Sequence, residues 1–306
     1  MKRRQFIQRS SSGALLLLSG KSDQHWFDSH EIVNLSILHT NDMHSRIEPF
    51  PMDGSRNEGL GGVARRSKLI QQIRQNESNV LLLDAGDIFQ GTPYFNFFGG
   101  EVEIKAMSMM HYDAATIGNH DFDAGMDNLK KQLSHASFSM INCNYNFSNT
   151  VMHDQIRPYQ IFEKAGIKIG VTGVGIELQS LVPKELTGDT VYLDPVASAN
   201  KTAAVLKNEL DCDYVICLSH LGFKYKEDKV DDIDLASQSR DIDLIIGGHT
   251  HTFLKEPEIV ANANNEAVIV NQVGWAGIML GRLDVQFERS QKNKCVSCKN
   301  LFVQSL

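Results

Sequence analysis

Residues 33–44 read Val33-Asn34-Leu35-Ser36-Ile37-Leu38-His39-Thr40-Asn41-Asp42-Met43-His44. An apolar run of strand length breaks off here into a knot of carboxylate and imidazole side chains. The same grammar recurs along the chain. Val80–Ala85 ends in Gly86-Asp87 and then Gly91, and Ala114–Ile117 ends in Gly118-Asn119-His120-Asp121-Phe122-Asp123. Tyr214–Ser219 ends in His220-Leu221-Gly222, and Leu244–Ile246 ends in Gly247-Gly248-His249-Thr250-His251. Phe138–Asn142 and Ile167–Val174 are further buried strands of the same kind. Between them, Gly62–Gln75, Val102–Met110, Met126–His135, Pro195–Glu209 and Asp232–Arg240 carry helical spacing. Strands alternating with helices predict an α/β fold, whose ligands bind beyond the carboxyl ends of the strands. Val268–Val270 and Gly277–Glu288 read as closing strands. One domain is therefore expected over 32–288, with 289–306 a short polar tail.

With 42% hydrophobic and 22% charged residues the composition is that of a globular protein, and no apolar run is long enough for a membrane span. Residues 1–22 differ from the rest. Lys2-Arg3-Arg4 precedes Phe6-Ile7, an apolar Ala14–Leu18 and the small pair Ser19-Gly20, which is the order of an export signal. The Arg3-Arg4 pair points to the twin-arginine route and a periplasmic destination. The formal net charge is −7, and loss of residues 1–20, with four basic groups and no acid, leaves the remainder still more acidic. Such a chain is unsuited to nucleic acid polymers, which are held by Lys and Arg. Any phosphate must meet local positive charge instead, and bound metal ions are the ready source. Cys143, Cys212, Cys217, Cys295 and Cys298 form no disulfide framework; Cys295-x-x-Cys298 suits a tail disulfide or two free thiols better than a zinc site.

Carboxylate and imidazole groups at the same end of successive strands suit two-metal hydrolysis. Two divalent ions roughly 3.5–4 Å apart grip both sides of a phosphoryl group and lower the pKa of a bridging water. The imidazole-and-carboxylate set fits Mn, Zn, Fe or Co, and the lack of thiolate argues against a purely structural zinc.

In this order, Asp42-x-His44, Gly86-Asp87-x-x-x-Gly91, Gly118-Asn119-His120-Asp121, His220 and Gly248-His249-x-His251 resemble the calcineurin-like metallophosphoesterase superfamily. More narrowly, Leu38-His39-Thr40-Asn41-Asp42-x-His44 and Gly118–Asp123 look like the 5′-nucleotidase family, over about residues 33–287. The resemblance implies a four-layer α/β/β/α sandwich. It implies Asp42, His44, Asp87 and His251 at one metal, and Asp87, Asn119, His220 and His249 at the other, with Asp87 bridging. It also implies His120 against the substrate phosphate, with Asp123 orienting its ring. Two positions depart from the family: Asp121 stands where Glu is usual, and His251 where some members have Gln.

The implied reaction is release of phosphate from nucleotides or similar small esters by a metal-bridging hydroxide. Relatives that are 2′,3′-cyclic nucleotide phosphodiesterases, UDP-sugar hydrolases or thiosulfohydrolases give the alternatives, as does a non-catalytic metal-binding module. The last would show decay of the ligand set, and every proposed ligand is present. Family members usually carry a second, nucleobase-stacking domain, which is expected to be absent here. The domain would then act alone or with a separate specificity chain. Phe95, Phe97 and Phe98 follow the Asp87 loop and are expected to be core or cover for the sheet.

Overall fold

The structure, a computed structural model, describes residues 32–288 and 293–304. The expected export signal at 1–22 lies outside the described residues. The strands, in chain order, are β1 (Ile32–Thr40), β2 (Val80–Asp84), β3 (Ala114–Ala115), β4 (Ser139–Met140), β5 (Tyr145–Asn146), β6 (Tyr159–Lys164), β7 (Ile167–Gly175) and β8 (Val191–Tyr192). They continue with β9 (Tyr214–His220), β10 (Leu244–Gly247), β11 (Glu258–Ala261), β12 (Ala267–Asn271), β13 (Met279–Glu288), β14 (Asn293–Cys298) and β15 (Leu301–Phe302). The α-helices are α1 (Val63–Asn76), α2 (Pro93–Phe98), α3 (Glu101–Met109), α4 (Gly125–Leu133), α5 (Lys184–Thr187), α6 (Pro195–Ala204) and α7 (Asp232–Gln238). A π-helical turn at Val205–Glu209 continues α6.

Two mixed sheets carry the fold. The first has the order β14-β13-β1-β2-β3-β4, with β15 also on β13, and the second β11-β12-β10-β9-β7-β6. In the first, β1 to β4 run parallel. In the second, β12, β10, β9 and β7 are parallel between antiparallel edges. Period-two alternation sorts the side chains into layers. From β2, Leu81 and Leu83 join Ile216 and Leu218 of β9 and Leu244 and Ile246 of β10 in a core between the sheets. The alternate residues Val80 and Leu82 pack outward with Ile70, Ile104 and Leu129 of α1, α3 and α4. On the far side Val215, Cys217 and Ile245 pack with Ala199 and Ala203 of α6 and Leu235 of α7. The result is a four-layer α/β/β/α sandwich.

Three expectations change. The polar tail is folded where it is described: β14 pairs with β13 from Leu283↔Cys298 onward, and Val303 is buried in the outer core. Its low apolar content hides an edge strand, which needs only one covered face. The strand expected at Ala114–Ile117 ends at Ala115; beyond it Thr116 N still donates to Asp84 O at 3.0 Å and Thr116 Oγ1 to Ile141 O at 2.8 Å. Phe95 is core, but Phe97 and Phe98 are exposed at 81% and 51%, Phe98 lying against the Tyr94 ring at 6.4 Å. Of the cysteines, Cys143, Cys212, Cys217 and Cys298 are free. Among the described residues no helix is long and apolar enough to cross a membrane.

Candidate metal centre

All the loops singled out in the sequence leave the carboxyl ends of parallel strands. β1 runs into Asn41–His44, β2 into Ala85–Asp87, β3 into Gly118–His120, and β10 into Gly248–His251, while His220 is the last residue of β9. Asp42, His44, Asp87, His249 and His251 all adopt left-handed backbone, with φ of 50°, 47°, 55°, 70° and 52°. Non-glycine residues seldom take this conformation, and each costs of order 1–3 kcal/mol, so the surrounding bonds must impose it. They do so by interlocking the loops. Asp42 N donates to Gly86 O at 2.9 Å and His44 N to Asp87 O at 3.0 Å. The backbone N of His249 donates to both oxygens of Asp42, at 2.9 and 3.0 Å. Gly86 has φ of 87°, and a Cβ there would lie 2.6 Å from Gly118 N, so only glycine fits between the second and third loops.

Two clusters result. Asp42, His44 and His251 bring ligand atoms within 4.8 Å of one another, and so do Asp87, His220 and His249. In the first, His44 Nε2 and His251 Nε2 are 2.9 Å apart and Asp42 Oδ1 is 3.3 Å from His251 Nε2. In the second, His220 Nε2 is 3.1 Å from Asp87 Oδ2, and Asn119 Oδ1 is 2.9 Å from His249 Nδ1. Asp87 Oδ2 also faces the first cluster, 3.9 Å from His44 Nε2. Each cluster takes residues from both sheets. His120 stands beside them, its ring 5.3 Å from that of His44, and its Nδ1 is 2.8 Å from Asp123 Oδ2. All nine residues expected at the site are thus brought together.

The electrostatics fit cations. His220 Nε2 is buried without a hydrogen-bond partner although it faces Asp87. Burial alone would lower the His220 pKa, but Asp87 and Asp42 carry it up to about 10, so the carboxylates around this ring favour positive charge. Burial likewise opposes ionisation of Asp87, yet His220, by its charge and hydrogen bond, holds the carboxyl below the ordinary range. Burial lowers His44, and lowers His249 to about 4, leaving neutral imidazoles able to ligate. His220 Nδ1 lies 2.7 Å from Ala85 O, an outer contact that fixes its ring. Such a donor set, carboxylate and imidazole with an amide oxygen, fits two divalent ions.

Three supporting residues escaped the sequence. Asp121 stands outside the ligand set, yet its buried carboxylate accepts backbone N–H bonds from Asp87, Ile88, Phe89 and Gly118 at 2.8–3.1 Å. Asn41 Nδ2 donates to Asp42 Oδ2 and to Gly274 O, both at 2.6 Å. Trp275 stacks on His251. The motif Gly118–Asp121 did contain the first, but no spacing rule separates a loop-bracing carboxylate from a ligand.

Comparison with known proteins agrees with this geometry. The family model for calcineurin-like phosphoesterases matches residues 35–253. The chain is 35% identical to a snake venom 5′-nucleotidase of Gloydius brevicauda, over 91% of this chain and 50% of the relative. It is 30% identical to the NAD 5′-nucleotidase of Haemophilus influenzae, over 90% and 48%. The solved 5′-nucleotidase precursor from Thermus thermophilus superposes with a TM-score of 0.80 at 30% identity, covering 89% of this chain and 55% of that one. The calcineurin-like phosphoesterase YfkN from Bacillus subtilis gives 0.72 at 26% identity, covering 89% and 92%. The chain spans about half the length of the curated relatives it matches. The matched family model spans more than half of the chain and takes in all the loops of the two clusters, and the chain belongs to the calcineurin-like phosphoesterase family.

Proposed function

We propose that the chain hydrolyses phosphate monoesters at a dinuclear metal centre, with nucleoside 5′-monophosphates as the favoured substrate class. The observation that carries this reading is the pair of clusters facing one shared carboxylate, Asp87, with His120 alongside. Asp42, His44, Asp87 and His251 would hold one ion, and Asp87, Asn119, His220 and His249 the other. Two ions bound there supply Lewis acidity and an activated water. The rest belongs to the chain. With Nδ1 of His120 engaged by Asp123, Nε2 is the ring nitrogen left to meet the substrate phosphate. That hydrogen bond is the leading reason the His120 pKa is raised, so a cationic ring is available to stabilise charge growing on a phosphoryl oxygen or on the leaving alkoxide. Asp123 holds the ring in one tautomer. Asp121 keeps the Asp87 and Gly118 loops in register, so the shared carboxylate does not need to reorganise during turnover.

The nucleotide class rests on the 5′-nucleotidases among the relatives, and the exported setting on the order of charges in residues 1–22. The direct test is phosphate release from AMP and from p-nitrophenyl phosphate with added Mn²⁺. Turnover of both, faster with AMP, is expected. No turnover by metal-loaded protein on a broad phosphoester panel would overturn the reading.

A further inference from the structure

His251 is the weakly anchored member of the centre. Its side chain is 40% exposed, whereas those of His220 and Asp42 are fully buried. The Nδ1 atoms of His44 and His220 each lie by a backbone carbonyl oxygen, Phe89 O at 3.3 Å and Ala85 O at 2.7 Å respectively. No hydrogen bond fixes the Nδ1 of His251 among the described residues. A ligating imidazole usually needs such an outer contact to hold its ring plane.

Trp275 occupies that role's place. Its ring lies parallel to His251, at 10° between planes and 5.6 Å between centroids, and edge-on to His44 at 6.5 Å. Phe50 packs against it edge-on at 5.8 Å. The loop carrying Trp275 is tied on both sides to the ligand loops. Ala276 N donates to Asp42 O at 2.7 Å, Gly274 N donates to Thr252 O at 2.9 Å, and Asn41 Oδ1 accepts from Val273 N at 3.0 Å. Ala276 itself takes φ of 56°, a conformation that alanine avoids unless it is imposed. The loop is therefore a built platform that offers one flat face to one ligand.

We infer that Trp275 is the positioning residue of the first metal site: by stacking, it sets the ring plane of His251 so that Nε2 meets the ion held with Asp42 and His44. The inference rests on the dinuclear reading above and deepens it, because it makes the two sites unequal in their supports. The second cluster, whose buried His220 is braced by Ala85 O, makes no ring contact with Trp275 among the described residues.

The test is calorimetric titration of the metal-free full chain with Mn²⁺, alongside far-ultraviolet circular dichroism. Wild type is expected to bind two ions. Trp275→Ala should weaken one site by about tenfold or more and leave the other within about threefold, with unchanged secondary structure. Trp275→Phe, which retains a stacking face, should restore most of the loss. A spectroscopic arm uses Trp26→Phe, which leaves Trp275 the one tryptophan of the chain. Its emission should change as Zn²⁺ fills the site, and His251→Ala should abolish that change. Equal weakening of both sites, no weakening of either, or a Phe variant as poor as Ala would overturn the assignment. Failure of wild type to bind Mn²⁺ would overturn the metal reading itself and the Trp275 assignment with it.

Discussion

Gly118 gives the sharpest probe of how tightly the centre is built. A Cβ placed on it would lie 2.1 Å from Asp87 Oδ1 and 2.5 Å from Asp87 N, where real Cβ contacts essentially never fall below 3.0 Å. Gly118→Ala must therefore push the shared carboxylate back by about 0.9 Å at least, and because a backbone nitrogen is also in the way a change of side-chain rotamer cannot absorb it. The φ of Gly118 is not left-handed, so it is the contact with Asp87 and not the backbone conformation that opposes alanine. Overpacking of this kind costs about 1–3 kcal/mol, within a net stability of roughly 5–15 kcal/mol, so the variant should fold. A displacement near 1 Å at the reacting centre is worth about 10²-fold in rate. The expected result is a kcat/KM on AMP lower by about two orders of magnitude, with the unfolding midpoint in urea only modestly reduced. Gly170→Ala is the matched control: its Cβ would meet the Leu206 methyls at 2.9 Å, in the outer core away from the loops. It should lose similar stability at full activity. A Gly118→Ala enzyme within about threefold of wild type would refute the claim that Asp87 is held in one position.

Two further outcomes follow from the same geometry. Asp123→Asn removes the hydrogen bond that leads in raising the His120 pKa. Activity that needs protonated His120 is lost as pH rises through that pKa, so the alkaline limb of the kcat profile should move to lower pH; a limb that stays in place would exclude His120 from that role. Chelation followed by Mn²⁺ at about a hundredfold over its Kd should raise stability by about 2.7 kcal/mol, seen as a melting temperature higher by roughly 5–10 °C. An unchanged melting curve would mean that no ion binds preferentially to the folded chain.

Much of this is legible in the sequence. Strands such as Val80–Asp84 and Leu244–Gly247 are buried on both faces, so their unbroken apolar runs mark them without ambiguity. The polar residues after them stand out because nothing in a sheet end requires carboxylates and imidazoles. Other parts left weaker marks. β6 is an edge strand of half-buried residues, Tyr159–Lys164, and only the turn at Ala165-Gly166, both at positive φ, hints at its hairpin with β7. β14 shares the problem, as its mixed polar composition lies against a single neighbour. Asp121 and Trp275 act through other residues, by bracing backbone and by stacking. Those relations join loops far apart in sequence, so periodicity carries no trace of them.

Each cluster draws on both sheets: Asp42 and His44 follow β1 while His251 follows β10, and Asp87 follows β2 while His220 and His249 lie on or after β9 and β10. The clusters thus sit across the seam of the sandwich, and an ion in either would act as a rivet between its two leaves. Catalytic geometry is then a reading of inter-sheet alignment. A slip of one leaf against the other, started by a poorly fitted side chain deep in the shared core, would be felt first as a change in metal coordination, well before the fold itself gave way.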